Sequence, residues 1–164
     1  MNILVNSSGI LKLGDKEFKC AIGKGGISTD KKEGDGATPA GILPIRKVFY
    51  RADSIPKPES PFETVALKPE DGWCDASEDP NYNKEVLMPY PASAENLWRE
   101  DEVYDVIVVL GWNDNPPVPG KGSAIFMHVA RSNYSPTAGC IALALPDLLV
   151  VLKNLSTDSM VVVE

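Results

Sequence analysis

The chain holds one histidine, His128, and twelve positions later a cysteine, Cys140, in the run Thr137-Ala138-Gly139-Cys140-Ile141. A thiol attacks carbon as its thiolate, and a free pKa near ~8.5 leaves little of that form at neutral pH. Imidazole is the side chain whose ordinary titration falls near neutrality, so His128 is the natural agent for taking the thiol proton. A cysteine activated by a histidine is one way to build an acyl-transfer nucleophile. The competing reading makes His128 a core histidine and Cys140 a small buried hydrophobe.

The residues around the pair bear on this choice. Gly139 permits an unusual backbone turn before Cys140. The amide groups around Cys140 could then point at the oxygen of a bound carbonyl and stabilise the developing oxyanion by roughly 3 kcal/mol per donor. The Thr137 hydroxyl could orient that turn or the nucleophile. Along strands, side chains alternate between faces. Ile125, Met127 and Val129 therefore share one face, and Ala124, Phe126, His128 and Ala130 the other. After the loop, Ile141, Leu143 and Leu145 form an apolar face, with Cys140, Ala142 and Ala144 opposite. A cysteine beside alanines leaves room for a groove, or for another packed layer.

The elements that must position these groups read as short strands and turns. Strands are expected at 3–5, 17–22, 42–50, 105–112, 123–130, 139–145 and 160–163, the one at 105–112 apolar on both faces and central. Thr38-Pro39-Ala40-Gly41 reads as a tight turn. Residues 93–100 suggest a short helix capped by Ser93. Pro146-Asp147 opens a helix through about Asn154, with proline at its tolerated first turn. Residues 53–91 read as an irregular, proline-rich excursion, and such long loops are often functional. Trp73, Cys74 and Tyr82 within it could wall a pocket or simply anchor a surface excursion. The glycines of Gly23-Lys24-Gly25-Gly26 lack the lysine-serine pair and helix that a phosphate cradle needs.

At 164 residues with no internal repeat, a single domain spanning 1–164 is expected. Fourteen prolines and thirteen glycines favour a turn-rich, mostly β chain over a helical bundle. A net charge of −7 argues against nucleic acid and against an anionic membrane surface. The arginines are Arg46, Arg51, Arg99 and Arg131, and a substrate carboxylate would find its partner among them. With no C-x-x-C and one histidine, no metal site is expected. No cofactor is implied either. Cys20, Cys74 and Cys140 fit reduced thiols, with a Cys20–Cys74 disulfide left open. No secretion signal or membrane span is recognisable, so a cytoplasmic location is expected, or a periplasmic one if a signal has been removed.

His128 upstream of Thr137-x-Gly139-Cys140-Ile141, with Thr38-Pro39-x-Gly41 far earlier, resembles the L,D-transpeptidase catalytic domain, the YkuD family. The likeness is densest at 34–45 and 105–149. It implies a mostly β, sandwich-like catalytic fold with one or two short helices. It implies Cys140 as nucleophile, His128 as general base, and the Gly139 and Cys140 amides at the oxyanion. Members cleave a peptidoglycan stem peptide between the L-centre of a diamino acid and a terminal D-residue, through a thioester passed to an amine or to water. Two positions depart from the family pattern: its histidine two before the cysteine is Ala138 here, and its arginine two after is Ala142. Arg131 is the candidate replacement for that arginine. The resemblance and the lack of a signal together point to an L,D-carboxypeptidase trimming tetrapeptides from peptidoglycan or muropeptides. A cross-linking or D-amino-acid-exchanging transpeptidase is the alternative, followed by a non-catalytic peptidoglycan-binding module and an amidase.

Overall fold

Short segments in which every second residue is apolar, punctuated by glycine and proline, build a computed structural model that describes all residues 1–164. In chain order the strands are β1 (Ile3–Val5), β2 (Ile10–Leu13), β3 (Lys16–Lys19), β4 (Ile27–Ser28), β5 (Thr38–Pro39), β6 (Gly41–Tyr50) and β7 (Thr64–Ala66). They continue with β8 (Asp71–Cys74), β9 (Glu85–Leu87), β10 (Ala94–Asn96), β11 (Val106–Leu110), β12 (Phe126–Val129) and β13 (Ile141–Leu143). The helix α1 (Leu145–Lys153) and the strand β14 (Met160–Val163) complete the chain. The fold is mostly β, as expected, with one helix.

The main sheet runs β13-β12-β11-β6-β14-β1-β2-β3, with β7 also on β6. Strand β6 joins its two halves: residues 45–50 pair with β11 and residues 41–44 with β14. A register shift at Val109/Leu110 falls where the partner changes. Such irregularities bend a strand and increase its twist. Strand β11 is buried at every position, as its uninterrupted apolar run requires. Its neighbour β12 is antiparallel to it and parallel to β13.

Alternation divides the buried residues between the two sides of this sheet. Ile125, Met127, Ile141 and Leu143 join Leu148, Val151 and Leu152 of α1 in one apolar cluster. Phe126 and Cys140 belong to the second cluster, with Phe49, Ile107, Trp73 and Tyr104. The helix begins with proline in its first turn, carries Asp147 near its N-terminus and Lys153 near its C-terminus, and so suits its own dipole.

Four local expectations change. Residues 93–100 hold no helix: 94–96 form β10, which pairs with β8 because Trp73 and Leu97 have a core to fill. The stretch 53–91 is not irregular throughout; it supplies β7, β8 and β9, and β10-β8-β9 form a separate three-stranded sheet. Thr38-Pro39-Ala40-Gly41 is not a tight turn. Thr38 and Pro39 pair in parallel with Ile27 and Ser28, and Gly41, at φ +130, opens β6. Strand β2 escapes sequence reading because four residues alternating through Lys12 give too short a signal. All three cysteines are free and buried, so no Cys20–Cys74 bridge exists.

Candidate active site

The register of β12 against β13 sets His128 opposite Ala142, so that the strand step before Ala142 on the same face brings Cys140 beside Phe126. In neighbouring strands such a diagonal pair has Cα atoms about 7–8 Å apart, within reach of an imidazole and a thiol that point the same way. Both side chains line a cleft of about 370 Å³, together with Lys31, Tyr104, Thr137 and Ala142. The alanine at 142 keeps the cleft open where a larger side chain would fill it.

Cys140 lies in the cleft floor with only 9% of its surface exposed. Its Sγ accepts from the Phe126 N–H at 3.4 Å and donates to the Ala124 carbonyl at 3.3 Å. Burial pushes the thiol up to about 12, and the Glu95 carboxylate adds to the rise, while the Phe126 amide and Lys31 oppose it. The Cys140 thiol is therefore neutral at rest. His128 is shifted the other way: burial lowers its pKa below 6.5, partly offset by its bond to Val129 and reinforced by Arg99 and Arg131. Its Nδ1 lies 3.0 Å from the Val129 carbonyl. A carbonyl only accepts, so Nδ1 carries the proton in the neutral ring and Nε2 is the free base. The pair is neutral on both sides, and proton transfer must accompany attack on a carbonyl.

Several elements fix this geometry. The segment 21–24 hydrogen-bonds along the edge of β13 and the turn before it: Ala21 exchanges bonds with Ala142, and Lys24 N–H donates to Thr137. Gly23 is required there, since a Cβ would come within 2.2 Å of the Gly36 carbonyl oxygen. Gly139 has φ +140, and a Cβ on it would meet the Ala37 carbonyl at 2.8 Å. The Thr137 hydroxyl accepts from the Gly139 N–H at 3.0 Å and donates to the Cys140 carbonyl at 2.6 Å. Thr137 thus holds the turn, as one reading of it anticipated. The same bond engages the Gly139 amide, so the expected pair of oxyanion donors is reduced in the resting structure. The Cys140 N–H makes no hydrogen bond within the protein and is left for that role.

An aromatic wall backs the site. Tyr104 stands edge-on to His128 at 5.3 Å between ring centroids, and Phe126 is edge-on to both Tyr104 and Trp73. The Tyr104 hydroxyl donates to the Glu95 carboxyl, whose pKa is raised mainly by burial. Trp73 and Tyr82, expected as pocket walls, do not line the cleft. Trp73 packs behind Phe126. Tyr82 sits behind Glu33, donating its hydroxyl to that carboxylate at 2.7 Å while accepting from the Gly122 N–H at 3.0 Å. Of the arginines, Arg99 and Arg131 reach the cleft and share Asp101. Arg131 keeps 54% of its side chain exposed at the rim, so it does not occupy the floor position near Ala142. Arg46 pairs with Asp114, and Arg51 with Asp53, both outside the cleft.

Asn83 had no signal in the sequence beyond lying in a loop. It is buried at φ +58 and uses its whole amide: Oδ1 accepts from Trp73 Nε1 and from Ala124 N–H, and Nδ2 donates to the Trp112 and Asn113 carbonyls. Ala124 itself is held at φ +54, a conformation costly for a residue with a Cβ, and its carbonyl receives the Cys140 thiol. Asn83 therefore orients the backbone group that accepts the Cys140 thiol. Lys31 was also missed; only its i,i+4 spacing from Asp35 in a glycine-bearing loop hinted at a built ion pair.

No curated protein and no solved structure matches the chain significantly. The family model of the L,D-transpeptidase catalytic domain, YkuD, matches residues 5–163, spanning both halves of the main sheet and every residue of the cleft. The chain belongs to the L,D-transpeptidase catalytic domain family and is, at that level, a peptidoglycan-related acyltransferase.

Proposed function

We propose that Cys140 and His128 carry out acyl transfer on a peptidoglycan stem tetrapeptide, and that water is the main acceptor, making the protein an L,D-carboxypeptidase. The observation that carries the reading is the shared cleft: a neutral thiol and a free imidazole Nε2 face one cavity from adjacent strands.

The steps follow from those two groups. The substrate carbonyl of the diamino acid's L-centre lies over Cys140. The sulfur leaves the Ala124 carbonyl, forms a bond to the carbonyl carbon and passes its proton to His128 Nε2. The carbonyl pair moves to oxygen, facing the Cys140 N–H. Collapse breaks the C–N bond, and the leaving amine of the D-residue takes the proton from His128. Water then attacks the thioester with His128 again accepting a proton, and the thiol is regenerated. Arg99 and Arg131 at the rim suit the carboxylates of the stem.

Cleft size supports water as acceptor. At about 370 Å³ it stands near the lower end of the ~300–1,000 Å³ usual for small-ligand sites, room for one peptide end more readily than two. Incubation with a disaccharide-tetrapeptide, with and without added D-amino acid, tests the proposal. Free tripeptide as the dominant product in both supports hydrolysis. An exchanged tetrapeptide would reassign the protein as a transpeptidase. Neither product, with Cys140 reduced, would favour a binding module.

A further inference from the structure

We propose that Lys31 is a catalytic residue of this site: its ammonium lies at the Gly139–Cys140 turn and stabilises the oxyanion formed when Cys140 adds to a carbonyl. This rests on the reading of Cys140 as the nucleophile and assigns the second oxyanion donor, which the engaged Gly139 amide does not supply.

Lys31 is one of the few charged residues inside the protein, its side chain only 3% exposed, and it lines the same cleft as Cys140. Two glycines make room for it. A Cβ at Gly122 would meet its Cε at 3.0 Å, and a Cβ at Gly139 would lie 3.5 Å from its Nζ. The second contact locates the ammonium against the turn that carries the nucleophile. One N–H of the three on Nζ is used, donating to Asp35 Oδ1 at 2.6 Å. Asp35 is in turn held by the Ala37 and Lys32 amides, so the cation is fixed rather than free to swing. Burying a charge is costly unless it is paired, and burying a lysine with two remaining donors is harder to explain by packing alone. An anion placed over Cys140 Sγ would satisfy them.

In the reaction, Lys31 transfers no proton. Sulfur bonds to carbon, the thiol proton goes to His128, and the carbonyl electron pair goes to oxygen, where the Cys140 N–H and a Lys31 N–H donate to it. Preorganised donors of this kind act in a water-poor cleft at their full strength. Lys31 also opposes the burial of the thiol, so its field acts on the sulfur before substrate arrives. The Glu95 carboxylate acts on that sulfur in the opposite sense, and Tyr104, His128, Arg99 and Arg131 are among the other titratable groups that line the cleft.

The test compares Lys31→Met with Asp35→Asn. Both break the same ion pair, but only the first removes the positive charge. For Lys31→Met we expect kcat on the tetrapeptide to fall by roughly 10²-fold with KM changed less than about threefold. The Cys140 reaction with iodoacetamide should slow at fixed pH, and its reaction with anionic iodoacetate should slow further. Asp35→Asn should lose far less on each measure. Equal losses in the two variants, or a loss in KM alone, would overturn the assignment. Should Lys31→Met not fold, Lys31→Gln takes its place: a fall no larger than that of Asp35→Asn overturns the assignment, and a fall at least about tenfold larger supports it. The alkylation arm needs no peptide. Absence of tetrapeptide turnover by the parent protein would sink the substrate reading while leaving the effect of Lys31 on Cys140 measured.

Discussion

The two faces of the main sheet are built from the same strands and do opposite work. Under α1, Met127, Ile141, Leu143, Leu148 and Leu152 are fully buried and wholly apolar. On the other face, one residue away along each strand, stand His128 and Cys140, with buried Asn83 behind them and Lys31 against the turn that precedes Cys140. The first face needs only shape and hydrophobicity. The second spends those qualities on polar groups that must each find a partner. Side-chain parity is what separates them, so a slip of one residue in β12 or β13 would put sulfur and imidazole under the helix.

Substitutions sharpen that contrast. The largest effect is expected at the reactive face: Cys140→Ser should lower the rate of tripeptide release by roughly 10³–10⁶-fold with an unchanged melting curve. His128→Ala follows at ~10²–10⁴-fold and should also slow alkylation of Cys140 while leaving that of Cys20 and Cys74 unchanged. Across the sheet, Leu148→Ala should cost about 2–5 kcal/mol in denaturant unfolding yet leave kcat per folded molecule intact. A comparable loss of kcat would show that the two faces are not independent. Asn83→Ala should combine both signatures, on the order of 3 kcal/mol of stability together with a slower Cys140 reaction, since Trp73, Ala124 and two carbonyls lose partners.

The pH dependence gives a further test. In the proposed mechanism neutral His128 is the active form, and burial holds its pKa below 6.5. Activity should therefore rise through an acid limb below that value and stay level through neutrality, because the thiol at about 12 does not limit it there. An acid limb centred above 6.5 would mean an ion pair in place of two neutral groups. The smallest effect is expected at the rim. Asp101 is held at about 2, chiefly by the Arg99 hydrogen bond, so it contributes stability above its ordinary 3.8 that fades as pH falls from about 4 toward 2. Asp101→Asn should remove that fading component, under about 1 kcal/mol after solvent screening.

Cys140 and His128 were legible as a candidate pair because their types are rare in this chain and their spacing familiar. The parity of β12 and β13 was legible too, since Ile-x-Met and Ile-x-Leu have a period of two that a half-buried strand imposes. Trp73 and Tyr82 were recognisable as anchors but not as groups one layer behind the cleft, because residue type carries no depth. Residues 93–100 read locally as a capped helix, yet pairing with β8 outweighed that weak preference.

Taken alone, the order of residues determined the mostly β class, the central strand β11, the helix opened by Pro146 and the candidate pair Cys140 and His128, because alternation, apolar runs and rare side chains are local properties. Tertiary structure decided the rest. It brought Lys31 and Asn83 to Cys140 from 109 and 57 positions away, turned the Ala124 carbonyl onto the thiol, and moved Arg131 to the rim. Those placements depend on which backbone amides and carbonyls meet across sheets and loops, and no local pattern encodes such a meeting.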